Sequence, residues 1–167
     1  MPLSGKTYWA KKLSAELKLP YIDIDAEIEQ FRNNTIRNIF AGEGEAAFRK
    51  YEHHILCSVV SKQDAETTIV GCGGGLPAFH NNMWVMKNEG CVIYLKADID
   101  LLAQRFEDIE ERNDRPLLAD VPEIEALLDR LLKERKNIYE EADYIIDVRT
   151  ATVSTFEEII KLCIKDH

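Results

Sequence analysis

Thr67-Thr68-Ile69-Val70-Gly71-Cys72-Gly73-Gly74-Gly75 holds the argument for the fold. Thr67 to Gly71 is β-branched and apolar, which predicts a buried strand. It runs directly into Gly73-Gly74-Gly75. Three glycines there cost chain entropy, so a close backbone approach is expected; the alternative is a tight strand-to-helix turn. On either side of this stretch, Leu19 to Ile24, Cys91 to Leu95 and Tyr144 to Val148 also read as short strands. Helical periodicity covers Lys6 to Lys18, Ala26 to Asn33, Glu45 to Lys62, Asn81 to Glu89, Asp98 to about Asp108, Glu123 to Glu140 and Val153 to Ile164. Thr35 caps a further turn through Phe40, which Gly42-Glu43-Gly44 breaks. Strands that are apolar on both faces and separated by helices predict a parallel α/β sheet. Ligands of such sheets bind beyond the carboxyl ends of the strands.

With 167 residues, a single domain over 1–167 is expected. Hydrophobic residues at 46% and charged residues at 31% exclude disorder, collagen and coiled coil as whole-chain readings. No apolar run approaches the 18 or so residues that span a bilayer, and Met1 to Lys6 is no signal peptide. No membrane association and a cytoplasmic location are therefore expected. A net charge of −9 argues against nucleic acid as a partner, but not against small anions met by a few arginines. Cys57, Cys72, Cys91 and Cys163 are scattered without a CxxC pair and read as buried free thiols. Trp9 and Trp84 fall on apolar faces and are expected in the core; His80 reads as surface, and a metal site at His53 and His54 is not expected.

Several motifs carry chemistry. Ser4-Gly5-Lys6-Thr7 matches the end of the phosphate-binding signature G-x-x-x-x-G-K-[ST]. Glycine lets backbone amides close around phosphate, lysine adds a point charge, and the threonine hydroxyl can ligate Mg²⁺. The alternative is a chance match at a frayed end. Asp23-Ile24-Asp25 ends a strand with two carboxylates of opposite direction, one suited to a metal or its water and one to a hydroxyl proton. Capping the next helix is the alternative for Asp25. Arg49, Arg115 and Arg135 suit bidentate binding of carboxylate or phosphate, although any one alone reads as a solvated surface residue.

Taken in order, these elements resemble shikimate kinase, a small P-loop kinase of the nucleoside-monophosphate-kinase-like fold. The resemblance is carried by Ser4-Gly5-Lys6-Thr7, Asp23-Ile24-Asp25, Gly42-Glu43-Gly44-Glu45-Ala46-Ala47-Phe48-Arg49 with Glu52, Gly73-Gly74-Gly75, Arg115-Pro116-Leu117-Leu118 and Glu134-Arg135. It implies five parallel strands in the order 2-3-1-4-5, helices on both faces and a mobile lid, here about 107–120. It implies ATP-dependent phosphorylation of the 3-hydroxyl of shikimate, on the way to chorismate, by a monomer. By position, Ser4, Gly5, Lys6, Thr7 and Tyr8 would hold ATP, with Arg105 near adenine and Thr7 and Asp23 serving Mg²⁺. Asp25 would bind the shikimate hydroxyls and act as base, Arg49 and Arg135 would hold the carboxylate, and Gly73, Gly74 and Gly75 would face the ring. Lys6 and Arg115, the latter closing from the lid, would stabilise the transferring phosphoryl group.

Some positions depart from that pattern. Leu3 stands where the family has a loop glycine, Asn137 replaces a proline, and the lid is acidic at Glu107, Asp108, Glu110 and Glu111. The first strand and the first loop glycine are missing ahead of Met1, so a longer natural chain is expected. Two rivals are a gluconate-kinase-like enzyme and a kinase-like module that binds without turnover.

Overall fold

The computed structural model describes residues 1–61, 67–107 and 123–166. Its strands are β1 (Tyr21–Asp23), β2 (Ile69–Gly71), β3 (Ile93–Lys96) and β4 (Tyr144–Asp147). Its helices are α1 (Lys6–Leu17), α2 (Ile24–Arg32), α3 (Ile36–Val60), α4 (Asn82–Glu89), α5 (Ile99–Glu107), α6 (Ile124–Tyr139) and α7 (Val153–Asp166), with a 3-10 turn at Leu76–Ala78. Each predicted strand and helix therefore exists, to within a few residues. Gly42-Glu43-Gly44 breaks the helical run as expected. Gly44 leaves helical geometry, at φ 80° and ψ 171°, and α3 is two helical segments that meet across this kink. A φ of that sign favours glycine, which explains why the kink falls there.

β1 pairs in parallel with β2, in the register Tyr21–Ile69, Ile22–Val70 and Asp23–Gly71. β3 pairs in parallel with β4, from Ile93–Tyr144 to Lys96–Asp147. The expected order 2-3-1-4-5 has the same pairs side by side when β1 to β4 are counted as its second to fifth strands, but the order as a whole has no counterpart among the described residues. Among the described residues no strand takes the central place, and the two pairs form separate sheets. The expectation that the strands are buried on both faces is corrected accordingly. Val70 is 36% exposed and Ile145 is 47% exposed, because each strand has one partner and one open edge.

Each half has its own core. Ile24, Ile28, Ile39, Phe48, Leu56 and Leu76 pack between α2, α3 and the 3-10 turn. Met1, Leu3, Leu13, Tyr94, Leu102, Leu128 and Phe156 pack around β3 and β4. Trp9 joins the second core, its ring 4.9 Å from that of Phe156, as expected. Trp84 does not: it is 62% exposed, because α4 turns that face outward. The cysteine reading is corrected too. Cys91 and Cys163 form a disulfide, with their Cα atoms 5.9 Å apart across 72 residues. Their sequence separation hid that the approach to β3 meets α7. Cys57 and Cys72 are free thiols. Among the described residues no helix is long and apolar enough to cross a membrane.

Candidate active site

Residues 1–5 wrap the start of α1. Leu3 and Gly5 both adopt left-handed backbone, at φ 62° and φ 87°. Leu3 thus occupies, at roughly 1–2 kcal/mol of strain, a conformation that glycine takes freely. The loop is held by its own side chains. The fully buried Ser4 donates from Oγ to the Met1 carbonyl at 3.0 Å, and Lys6 donates from Nζ to the same oxygen at 2.6 Å. Arg105 reaches from α5 and donates from Nη1 to the Leu3 carbonyl at 2.9 Å, so its guanidinium lies on the loop backbone. Thr7 and Tyr8 are exposed on the first turn of α1. The amides of that turn have no partners within the helix, and the helix dipole adds positive field.

The capping alternative for Asp25 is not what the structure shows. Asp23, not Asp25, caps α2: its Oδ1 accepts from the amides of Asp25 at 3.0 Å and Ala26 at 3.4 Å. Tyr21 donates its hydroxyl to Asp23 Oδ2 at 2.6 Å. Burial, together with that bond, pushes the Tyr21 hydroxyl well above its usual range. With the cap supplied by Asp23, Asp25 turns inward on the first turn of α2. Burial raises its pKa, with the Asp23 charge adding and Lys6 and Arg49 opposing.

Arg49 sits on the second half of α3 and is 3% exposed. It donates from Nη1 to Glu52 Oε2 at 2.6 Å and from Nη2 to Glu45 Oε1 at 2.6 Å. Its guanidinium also lies 4.5 Å over the Phe79 ring. Burial pushes the Arg49 pKa down, but Glu52 and Glu45 outweigh it and the net shift is upward. Glu52 is buried at 1% exposure, and desolvation lifts its carboxyl to about 7 despite the Arg49 charge.

The glycine turn closes on this group. A Cβ on Gly73 would lie 3.0 Å from Glu52 Oε1 and 3.4 Å from Asp25 Oδ1. Those are the two buried side-chain oxygens with no hydrogen-bond partner among the described residues. A Cβ on Gly75 would meet the Arg49 guanidinium at 2.5–2.6 Å, so only glycine leaves that group in place. Gly74 accepts a 2.6 Å bond from the Tyr139 hydroxyl. Arg135, 7% exposed on α6, bonds the Tyr139 side chain, and its charge bears on Glu52 as well.

Of the expected residues, Asp25, Arg49, Arg135 and Gly73 to Gly75 therefore converge, and the field of Lys6 reaches Asp25. Arg115 and the lid residues 108–120 lie outside the described residues. Glu52 and Tyr139 belong to the motif set without an assigned role, and the structure brings both into the cluster. The i, i+3 spacing of Glu52 from Arg49 was the available signal for the first. For Tyr139 the signal was the stretch Tyr139-Glu140-Glu141-Ala142-Asp143 that follows Glu134-Arg135 in the same resemblance.

A glycine-led loop at the start of α1, beside a cluster of buried arginines and carboxylates at the ends of parallel strands, is the layout of P-loop kinases of small molecules. The match of a family model described as shikimate kinase spans residues 2–165. Shikimate kinases from Bacillus cytotoxicus and Azobacteroides pseudotrichonymphae are 39% and 36% identical to the chain. These alignments cover 95% and 93% of it, and 91% and 90% of those proteins. The crystal structure of shikimate kinase from Bacteroides thetaiotaomicron matches with a TM-score of 0.86 at 27% identity, over 96% of this chain and 94% of that one. Shikimate kinase from Acinetobacter baumannii, solved in complex with shikimate, matches with a TM-score of 0.82 at 32% identity, over 95% and 86%. The chain belongs to the shikimate kinase family, with the transferase chemistry and use of ATP that this implies.

Proposed function

We propose that this chain transfers the γ-phosphoryl group of ATP to the 3-hydroxyl of shikimate, and that the pocket around Gly73–Gly75 is where shikimate binds. The observation that carries the reading is the complementarity of that pocket. Two buried arginines, Arg49 paired with Glu45 and Glu52 and Arg135 bonded to Tyr139, bring positive charge to the cluster, and two unpartnered carboxylate oxygens face the first glycine, suited to hydroxyl donors. A small hydroxy acid satisfies both sets at once.

In this reading Arg49 and Arg135 fix the substrate carboxylate. Asp25 orients the ring hydroxyls and takes the proton of the attacking one, a role that its raised pKa favours. Lys6 and the amides from Ser4 to Tyr8 receive the phosphates, and Arg115 joins the phosphoryl group from the lid. Mg²⁺ fits as an ion carried in with the nucleotide. The Thr7 hydroxyl is exposed at the loop, while Asp23 is already engaged by two amides and Tyr21 and suits a water-mediated contact. Bound there, the ion would neutralise phosphate charge. Catalysis of this kind is positioning and charge stabilisation more than covalent chemistry.

The test is ADP release in a coupled assay with shikimate, quinate and gluconate in turn. Turnover selective for shikimate supports the assignment. Preference for gluconate, or nucleotide binding without turnover on any acceptor, overturns it.

A further inference from the structure

A separate cluster of reactive side chains lies further along α3. Cys57 follows His53 by one helical turn, with its Sγ 3.7 Å from His53 Nε2. His53 Nδ1 lies 2.7 Å from Asn82 Oδ1, and Asn82 is fully buried. The hydrogen positions follow from the partners. Asn82 Nδ2 donates to the Leu76 carbonyl at 2.8 Å, and a carbonyl can only accept. The amide NH₂ therefore faces Leu76, and the amide oxygen faces His53. That oxygen can also only accept, so His53 carries its proton on Nδ1. The Nε2 lone pair is left facing the sulfur. A nucleophile, a base within reach and a third group fixing the base's tautomer form the arrangement that activates a thiol.

We propose that Cys57, His53 and Asn82 form a thiol-modification site for low-molecular-weight disulfides. His53 Nε2 accepts the Cys57 proton as Sγ attacks one sulfur of RS–SR. The S–S bond breaks, the second sulfur leaves as a thiolate, and it collects the proton from the imidazolium. The products are Cys57–S–S–R and RSH: Cys57 is oxidised and the incoming disulfide is reduced.

The other cysteines set the selectivity. Cys91 and Cys163 are already joined. Desolvation, reinforced by the Asp25 and Glu52 charges, pushes the Cys72 thiol up to about 12 and disfavours its thiolate, although Cys72 is only half-buried. Cys57 is half-buried as well, so what sets it apart is the His53 base beside its sulfur. The site stands independently of the phosphoryl acceptor.

The experiment treats the full chain with oxidised glutathione at pH 7 and follows it by intact mass and peptide mapping. One glutathionyl group per chain is expected, on Cys57, and none in Cys57→Ser. His53→Gln should slow the reaction at least about tenfold, the low side of what a positioned base contributes. His54→Gln, an exposed neighbour on the same helix, should leave the rate unchanged. A further measurement needs no variant at His53: Cys57 in the native chain should react at least about tenfold faster than Cys57 in the chain unfolded in urea. Reaction first at Cys72, no adduct on Cys57, an undiminished rate in a folded His53→Gln, or a native rate no higher than the unfolded one would each overturn the proposal.

Discussion

Gly75→Ala isolates the role of Arg49 without touching it. Gly75 has φ −86° and ψ −26°, ordinary right-handed backbone, so alanine brings no conformational strain of its own. The new methyl would stand 2.5–2.6 Å from three guanidinium atoms, and normal contact requires that they retreat by about 1 Å. Arg49 cannot retreat freely. Its Nη1 is tied to Glu52 at 2.6 Å, and it is stacked against Phe79 at 4.5 Å. Losing one charge-assisted hydrogen bond costs about 1.5–3 kcal/mol, or roughly 10- to 150-fold in an equilibrium constant. The same displacement moves the proposed carboxylate anchor, so the shikimate KM should rise by that factor. The ATP KM should stay within about twofold. Melting should fall by roughly 3–12 °C, at about 2–4 °C per kcal/mol for a chain of this size. Gly42→Ala is the control: a Cβ there meets nothing within 4 Å, and helix propensity should leave stability equal or slightly higher. Steady-state kinetics with each substrate varied and a thermal melt cover both readouts. A folded Gly75→Ala enzyme with a wild-type shikimate KM would refute the placement of the carboxylate on Arg49.

Asp25→Asn should keep Mg·ATP binding, read by calorimetry, and lose turnover at least about 10²-fold; near-normal turnover would remove Asp25 from the proton transfer. Glu52 gives a pH signature: its folded pKa of about 7 lies above the ordinary 4.5, so its protonation stabilises the fold fully below 4.5, and this contribution is lost as pH rises through 7. The stability of wild type relative to Glu52→Gln should therefore decline across that window by up to about 3 kcal/mol, and a gap that stays flat from pH 4.5 to 8 in thermal melts would contradict the buried, desolvated carboxyl. Cys163→Ser opens a link closing 72 residues, worth about 4 kcal/mol by chain entropy, so melting should fall by about 10 °C and reductant should match the variant; insensitivity of wild type to reductant would count against the disulfide.

The sequence disclosed most where its signals are local. Short apolar, β-branched runs located all four described strands, and periodicity located the helices, because both depend on neighbours a few residues away. It misjudged what distance controls. Cys91 and Cys163 carry no mark of their pairing, and Trp84 sits on a face whose exposure depends on how α4 lies against the rest. Asp23 and Asp25 were recognised as a pair with two jobs, but the cap went to the other member: α2 begins at Ile24, earlier than expected. Arg49 and Arg135, each unremarkable alone, were singled out through the whole motif set, and their convergence is visible only in three dimensions. Glu52 and Tyr139 drew no role of their own, since glutamate and tyrosine on amphipathic helices are common and their value here comes from partners on other elements.

Gly74 touches more than Tyr139. A Cβ there would stand 3.2 Å from the backbone of both Met1 and Pro2, so the turn that faces the proposed acceptor and the loop that faces the proposed donor abut with no side chain between them. Main chain against main chain behaves like a machined joint: it has no rotamers to absorb play. The interval between the two substrates is then a dimension of the scaffold, set before either arrives. Changes in the first residues of the chain should accordingly register at the acceptor pocket as readily as at the nucleotide.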